Sequence, residues 1–477
     1  MQMRKDNILG NDTSAKLSGK QVARVLDMTG VTSTTKILVA AGCLGYLFDA
    51  FDNYLLGFVM PLVSHDFTFS PAMKGFILST ALWGGALGMW FWGIVAEQKG
   101  RRIAFQGTLL MFALFCGLTA FAQSPLQLGF ARFITGMGLG GFMPIDLTVV
   151  SEMTPTKVRG TLTSSISLFM PVGAFVAAFT SLLLSQRLGW RGMFLLGVLP
   201  ALIAYLIRRR VPESPRWLAS SGRIREAEEA LIKVGATRQA IEEAREAIPY
   251  DDDAATETDN KSLKEKYSEL FSLKWLSRNI VSWALWIAPN SVMSAVNLWL
   301  PSYLMTVYHF TLVKSLFYTV ANTGVGVIGR LIGVYLIDKA GRKPLIIGTF
   351  SFAAMCLVVA GLVKTPDSLL YCLGAFTFFV DGGIVVAVTY VPELYPTRIR
   401  AIGSSSASAA GRIAAAAAPI LIGALIGLNL QRLVWIIFAV TLGICVVVTA
   451  ILAPETKGIT LEEVGRKPLG QAAGASD

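Results

Sequence analysis

GIVAEQKGRR (residues 93–102) has a counterpart far along the chain in DKAGRK (338–343). Each sets a carboxylate, Glu97 or Asp338, three residues before a glycine that is followed by two basic residues, Arg101–Arg102 or Arg342–Lys343. A second pair reads EMTPTKVR (152–159) and ELYPTRIR (393–400). The step from 97 to 338 and from 152 to 393 is 241 residues in both cases. One offset shared by two separate motifs marks a parallel internal repeat, a recurrent plan of membrane transporters. A carboxylate at a helix end can pair with an arginine of a neighbouring loop while one side is shut, and breaking the pair lets the halves rock apart. The residues marked for such a gate are Glu97, Arg101, Glu152, Arg159, Asp338, Arg342, Glu393 and Arg400. The same basic residues could also act through topology alone, because cytoplasmic loops are positive.

Composition places the repeat in a bilayer. The chain is 53% hydrophobic and 15% charged, with a mean hydropathy of +0.57, whereas soluble domains carry about 25% charged residues. Apolar runs near 37, 72, 103, 126, 161, 190, 279, 312, 344, 367, 401 and 430 predict twelve spans, each needing about 20 apolar residues. The eleventh is expected to be interrupted at Ser404–Ser406. The predicted fold is all-α, twelve transmembrane helices in two six-helix halves. The expected divisions are a cytoplasmic segment 1–36, a first half 37–208, a linker 209–278, a second half 279–453 and a cytoplasmic tail 454–477. The linker contains one amphipathic stretch, REAEEALIKVGATRQAIEEAREA (225–247), and an acidic run, Asp251–Asp253. The polar start argues against a cleaved signal peptide, so the first span would be an uncleaved anchor. The net charge of +11 gathers in alternate loops: Lys99, Arg101 and Arg102; Lys157 and Arg159; Lys339, Arg342 and Lys343; Arg398 and Arg400. That distribution points to a multi-pass cell-membrane protein with both termini cytoplasmic, not to nucleic acid. Five unpaired cysteines and two histidines suggest neither a disulfide frame nor a metal centre, and no cofactor is expected.

At this point the chain resembles the major facilitator superfamily. The loop motifs are similar to its signature G-x-x-x-D-x-x-G-R-[KR], with Glu97 in place of aspartate. PESPRWL (212–218) and PETKG (454–458) resemble the tails of the two halves in sugar-porter-like members. DAFD (49–52), followed by LLGFVMP (55–61), resembles the D-G-[FMV]-[DE] signature of aromatic-acid/proton symporters. That signature is shared with nicotinate transporters and the synaptic-vesicle glycoprotein 2 type; here Ala50 replaces its glycine. RFITGMGLGG (132–141) is similar to the fourth helix of that group, where the arginine is a functional position.

Asp49 and Asp52 are three residues apart and share a helix face. A charge at the bilayer centre costs about 2.5 kcal/mol or more, so both need a reason to be there. From a start near 37, Asp49 lies about 18 Å deep, and Arg132 on the antiparallel fourth span can reach toward that level. Two neighbouring carboxylates disfavour double ionisation, which would let one of them carry a proton. Asp49 and Asp52 are therefore the candidate proton-coupling residues, and Arg132 a candidate for a substrate anion. A permanent ion pair that only orders the first half is the alternative.

The counterpart of Asp49 in the repeat is Asn290. Trp286, Asn290, Ser294 and Asn297 follow helical spacing and form a polar stripe suited to a small planar ligand; packing or interfacial anchoring would also explain the tryptophan. Asp381 is a pocket or second-proton candidate, Phe379 and Tyr390 candidate pocket walls, and Arg412 a further site for a substrate anion. Arg330, with Asp338 or Glu393, and Asp146 are assigned to the cytoplasmic gate.

The resulting expectation is a secondary transporter, not an enzyme: a proton symporter importing a small aromatic or heteroaromatic carboxylate such as nicotinate or a benzoate by alternating access, as a monomer. A sugar or polyol symporter is the alternative, opposed by the absence of glutamine from 161–185 and 279–306, where the resemblance to sugar porters implies it. A non-transporting receptor is the alternative of another class. It is opposed by short outer loops and by sequons, Asn11 and Asn260, on the predicted cytoplasmic side. The glycines of GMGLGG lie inside an apolar run and would allow close helix packing rather than form a dinucleotide loop.

Overall fold

Prolines and hydroxyl residues punctuate the chain where the spans begin. The computed structural model describes residues 17–209, 211–248 and 263–456, and the described residues form helices and no strand. An amphipathic α1 (Gly19–Thr29) precedes α2 (Ser33–Asp66), α3 (Pro71–Lys99), α4 (Arg101–Thr119), α5 (Pro125–Met153), α6 (Thr156–Ser167) and α7 (Phe169–Arg209). The linker holds α8 (Pro215–Ser220), α9 (Ile224–Val234), α10 (Arg238–Ala247) and α11 (Leu263–Leu270). The second half is α12 (Leu273–Tyr308), α13 (Leu312–Ala340), α14 (Arg342–Leu362), α15 (Pro366–Glu393), α16 (Thr397–Gly427) and α17 (Gln431–Leu452).

Ten of these stretches are long and apolar enough to cross a membrane. One of the ten, Thr156–Leu206, has 51 residues, about 77 Å of helix, more than twice a bilayer core of about 30 Å. It turns back at Gly189, whose φ of +64° a side chain would strain, and so makes two crossings. The 36-residue α12, with Pro289 and Pro301 inside it, is the twelfth. The eleventh span is not interrupted: α16 is continuous through Ser404–Ser406, and Ser406 Oγ donates back to the Gly403 carbonyl at 2.8 Å.

The 241-residue step extends beyond the quoted motifs. Ser70 and Ser124 cap α3 and α5 by accepting the N–H three residues on; Thr311 and Thr365, each 241 residues later, do the same for α13 and α15. Gly100 and Gly341 begin α4 and α14 with φ of +101° and +87°. The N-termini behind them have no cap of their own. Glu213 of PESPRWL accepts the Arg101 and Arg102 N–H groups at 3.0 and 3.1 Å, and Glu455 of PETKG accepts those of Arg342 and Lys343 at 3.1 and 3.0 Å. A carboxylate is favoured there because the orphan donors and the helix dipole both attract it. The two tails that resemble sugar porters therefore close each half upon itself.

Helices α2–α7 pack mainly among themselves, as do α12–α17, and the two groups meet through α2 with α12, α3 with α16, and α7 with α13. Away from the linker, the Gly57 Cα faces the Leu298 backbone, and Gly75 and Gly423 lie against Pro419 and Pro71. That end is closed by backbone-to-backbone contact. The linker stretch expected as one amphipathic helix is two, α9 and α10, because Gly235 takes a φ of +118° between them. The polar start of the chain supplies a further helix: α1 packs on α10, α8 and α6, and Asp27 accepts the Thr156 N–H and hydroxyl at the start of α6. Asp251–Asp253, Asn11, Asn260 and the tail from 457 lie outside the described residues.

Candidate functional site

A cavity of about 550 Å³ lies between the two groups of helices. Its lining reaches from Tyr54 and Asn297 at mid-depth to Thr163, Pro392 and Ser405 toward the linker end. Among the described residues four charged side chains line it: Asp49 from the first group and Arg330, Asp381 and Arg412 from the second.

Asp49 is held by Asn53, four residues on, whose Nδ2 donates to Asp49 Oδ1 at 3.1 Å and to the Asp49 carbonyl at 2.9 Å. The Arg412 guanidinium is the cation whose field reaches the Asp49 carboxylate. Arg412 crosses from α16 toward the first half, where the glycines of GMGLGG let α5 lie against α3. Gly136 and Gly140 face the Ala81 and Gly85 carbonyls, and Arg412 Nη1 sits 3.6 Å from the place a Gly85 Cβ would take. Among the described residues its one hydrogen bond is to the Met143 thioether, Nη2 to Sδ at 3.0 Å. A thioether is a weak acceptor, so this guanidinium meets no carboxylate within ion-pair distance among the described residues.

Asp52 and Arg132 do not reach the cavity. Arg132 Nη1 and Nη2 donate to Asp52 Oδ1 and Oδ2 at 2.9 and 2.7 Å, and Nη2 also donates to the Asp52 carbonyl at 3.1 Å. Both residues have 0% exposure. The Cys116 thiol donates to Asp52 at 3.5 Å, and the Phe194 ring stands 5.1 Å from the Arg132 Cζ. The expected substrate contact at Arg132 is replaced in this structure by a bidentate pair sealed inside the first half. Asp146 is also fully buried, placed against Gly42, where the missing side chain leaves it room; it sits inside the first half and not at a loop gate.

In the second half Arg330 Nη2 donates to Asp381 Oδ1 at 2.9 Å, and Gly326 leaves room for that carboxylate. This corrects the gate partner expected for Arg330: Glu393 is engaged by Arg342 instead, at 3.5 Å, and the side chain of Asp338 lies outside the described residues. Trp286, Asn290, Ser294 and Asn297 all line the cavity. Asn290 Nδ2 donates to the Trp286 carbonyl at 2.8 Å. Ser294 Oγ donates to the Ala415 carbonyl at 2.8 Å, which gives that hydroxyl a structural bond in place of a free one. Phe379 and Tyr390 are not pocket walls. Phe379 is half-buried and stacks on the exposed Phe352, 5.2 Å between centroids, and the buried Tyr390 hydroxyl donates to the Pro454 carbonyl. The lining also includes Tyr46, Asn53, Tyr54 and Met143. Asn53, one turn after Asp49, was legible in the sequence; Met143 had no such signal.

The carboxylate–arginine pairs expected to shut a gate form inside each half and not between the halves. Arg101 Nη2 is 3.7 Å from Glu152 Oε1, and Arg342 meets Glu393 in the same way. Glu97 is exposed, and its carbonyl accepts the Trp217 Nε1–H at 3.0 Å. Arg400 Nε donates to the Tyr395 carbonyl at 3.2 Å. Arg159 faces Arg216 of α8, and burial together with that like charge holds the Arg216 guanidinium below the usual arginine range. These contacts brace each half at the linker end while the cavity extends toward that same end.

The described residues contain no cluster of three or more metal-ligating side chains. What the cavity offers is an uncommitted guanidinium beside a carboxylate, with amides and aromatic rings around them. Comparison with known proteins agrees with a carrier. The family described as "Sugar (and other) transporter" matches residues 37–467. The niacin transporter NiaP of Acinetobacter baylyi is 32% identical over 88% of this chain and 94% of its own. The benzoate transport protein of the same organism is 24% identical over 86% and 88%. The xylose transporter XylE of E. coli, solved in an inward-open conformation, superposes with a TM-score of 0.72 over 90% of this chain and 99% of its own, at 19% identity, which shows the shared fold. A multi-pass, twelve-helix chain whose halves enclose a charged cavity, and whose sequence matches that family along nearly its whole length, belongs to the sugar (and other) transporter family, in the major facilitator fold.

Proposed function

We propose that this protein imports a small aromatic or heteroaromatic carboxylate, with nicotinate as the first candidate, together with a proton. The observation that carries the reading is Arg412: a cavity-lining guanidinium whose one hydrogen bond among the described residues goes to a thioether. A substrate carboxylate supplies the bidentate acceptor that Arg412 otherwise lacks. The ring then lies among Tyr54, Trp286 and Met293, with the Asn290 and Asn297 amides beside it. Binding an anion at Arg412 weakens that cation's hold on Asp49, and Asp49 takes the proton, so that the loaded cavity is close to neutral and able to change sides. Asp52, held by Arg132, supports the same helix from behind. The names of the niacin and benzoate relatives support this substrate class.

The basic residues gathered at the linker end support a cytoplasmic reading of that end and of both termini, in a bacterial inner membrane, with the carrier working as a monomer. The within-half pairs Arg101–Glu152 and Arg342–Glu393 keep each half rigid while it rocks. The test is uptake of labelled nicotinate and benzoate into proteoliposomes, with and without an inward proton gradient. Wild type accumulates one of these acids; Asp49→Asn retains exchange and loses accumulation; Arg412→Gln loses both. A sugar reading is favoured by the family description and by the hydroxyls of Thr323 and Thr377 in the lining. Uptake of a labelled pentose or hexose, with neither acid moved, would establish it in place of the first.

A further inference from the structure

Among the described residues four methionines line the cavity: Met89, Met143, Met170 and Met293. Met143 differs from the other three in what its sulfur touches. Arg412 Nη2 donates to its Sδ at 3.0 Å. The guanidinium comes from α16 of the second half, and the sulfur from α5 of the first. A thioether is a weak acceptor. It can hold a guanidinium in place and still yield it to a carboxylate, which brings two charged oxygens.

The same sulfur is open to chemistry. Met143 is half-buried and lines a cavity that extends to the linker end, wide enough for a small oxidant to enter. A thioether sulfur carries two lone pairs, and the guanidinium engages one of them. The other can attack hydrogen peroxide. The S–O bond forms as the O–O bond breaks, and the transferred oxygen passes its proton to the departing one, which leaves as water. Sulfur is oxidised by two electrons and the peroxide is reduced by two. The product, methionine sulfoxide, is polar where the thioether was apolar. Its oxygen is a strong acceptor, and leaving it unpaired at this wall is costly. The donor beside it is Arg412. With three rotatable bonds, the side chain can draw its sulfur back and put the new oxygen at Nη2.

We infer that Met143 is a peroxide-sensitive modification site, and that its sulfoxide occupies Arg412 in place of a substrate carboxylate. The inference rests on the reading of Arg412 as the anion site. The oxygen is tethered to α5 beside the guanidinium, so it acts at the high effective concentration of an intramolecular ligand, and a free anion must displace it. The same bond ties α5 of one half to α16 of the other more firmly than the thioether does.

The test treats the full chain, in lipid nanodiscs, with hydrogen peroxide and reads the conversion of each methionine by mass spectrometry. Nicotinate affinity is measured before and after, together with the rate at which phenylglyoxal, an arginine reagent, modifies Arg412. Met143→Leu keeps the volume and can neither be oxidised nor accept a hydrogen bond. Met143→Gln carries an amide oxygen in the place of the sulfoxide's. Each variant is compared with its own untreated form. Peroxide is expected to convert Met143 along with the exposed Met28. Wild-type affinity for nicotinate then falls by at least about tenfold, the factor that one hydrogen bond to a charged group carries, and phenylglyoxal slows at Arg412. Met143→Leu holds its affinity within about threefold through the same treatment, although Met89, Met170 and Met293 remain in it. Untreated Met143→Gln resembles oxidised wild type in both readouts. A Met143 that stays a thioether while Met28 is converted would overturn the inference. So would a Met143 sulfoxide that leaves either the affinity or the Arg412 reactivity unchanged. An equal loss in Met143→Leu would overturn it too, by placing the lesion on another methionine. Should untreated wild type bind neither nicotinate nor benzoate, the substrate reading fails, while the phenylglyoxal rate still decides whether the sulfoxide engages Arg412.

Discussion

Asp49 and Asp52 differ in fate because positions three apart on a helix point about 60° away from each other. On α2 that angle separates the cavity from α5. Asp49 faces the space between the halves and keeps Asn53 as its partner; Asp52 faces Arg132 and is closed off by Cys116 and Phe194. Their stabilities under substitution should separate accordingly. Asp52→Asn leaves a guanidinium buried without its counter-charge, and breaking such a pair costs about 3 kcal/mol or more. Asp49→Asn exchanges one polar group for another at a cavity wall and should cost under about 1 kcal/mol. Unfolding in graded detergent or denaturant, with both variants run beside wild type, checks the order. Equal losses for the two would mean that the Asp52–Arg132 pair is not what orders the first half. The shared face of the two aspartates was legible from their spacing. Which of them meets water was not, because that depends on the angle at which α5 and α12 approach α2.

Prolines inside helices recur across this chain, and each frees a carbonyl that another element can use. Pro171 follows Ser167 by four residues, and Arg330 donates to the Ser167 carbonyl at 3.3 Å. Pro419 frees Ala415, and Ser294 of α12 donates to it; the Pro419 carbonyl in turn accepts the Trp299 Nε1–H at 3.1 Å. Two helices of the second half are thereby pinned by side chains that a reading of polarity alone assigns to a ligand. Ser294→Ala removes the donor and leaves the Ala415 carbonyl buried, a loss of about 1–2 kcal/mol, with nicotinate affinity unchanged. A variant as stable as wild type but weaker in binding would return Ser294 to the ligand. The amphipathic linker shows the converse lesson. Its periodicity ran unbroken through Gly235 in the sequence, yet the glycine is the turn, because a helix end is set by caps and packing as much as by its apolar stripe.

At the scale of the whole molecule, the repeat and the twelve crossings were readable because each is a pattern repeated along the chain: a 241-residue step and runs of apolar residues. The site was readable only in part. Asp49, Arg412, Asp381 and the α12 stripe do line the cavity, since charge and polarity are rare at such depth and mark themselves. Arg330, Arg132, Tyr390 and Phe379 were misplaced, because a long side chain reaches several ångströms in a direction that depth along a helix does not give. The same geometry makes a claim about access. The far end is shut by backbone contacts at Gly57, Gly75 and Gly423, while Ser405 lines the cavity toward the linker end. In a chain whose five cysteines are replaced, Ser405→Cys should react with a membrane-impermeant maleimide in inside-out vesicles and resist it in right-side-out ones, and bound nicotinate should slow the reaction. Labelling from the outside alone would invert the topology that the basic loops imply. Labelling from both sides at comparable rates would mean that the far-end contacts are not the resting state. Protection by nicotinate, seen only in the inside-out vesicles, would tie the cavity, its orientation and its ligand together in one measurement.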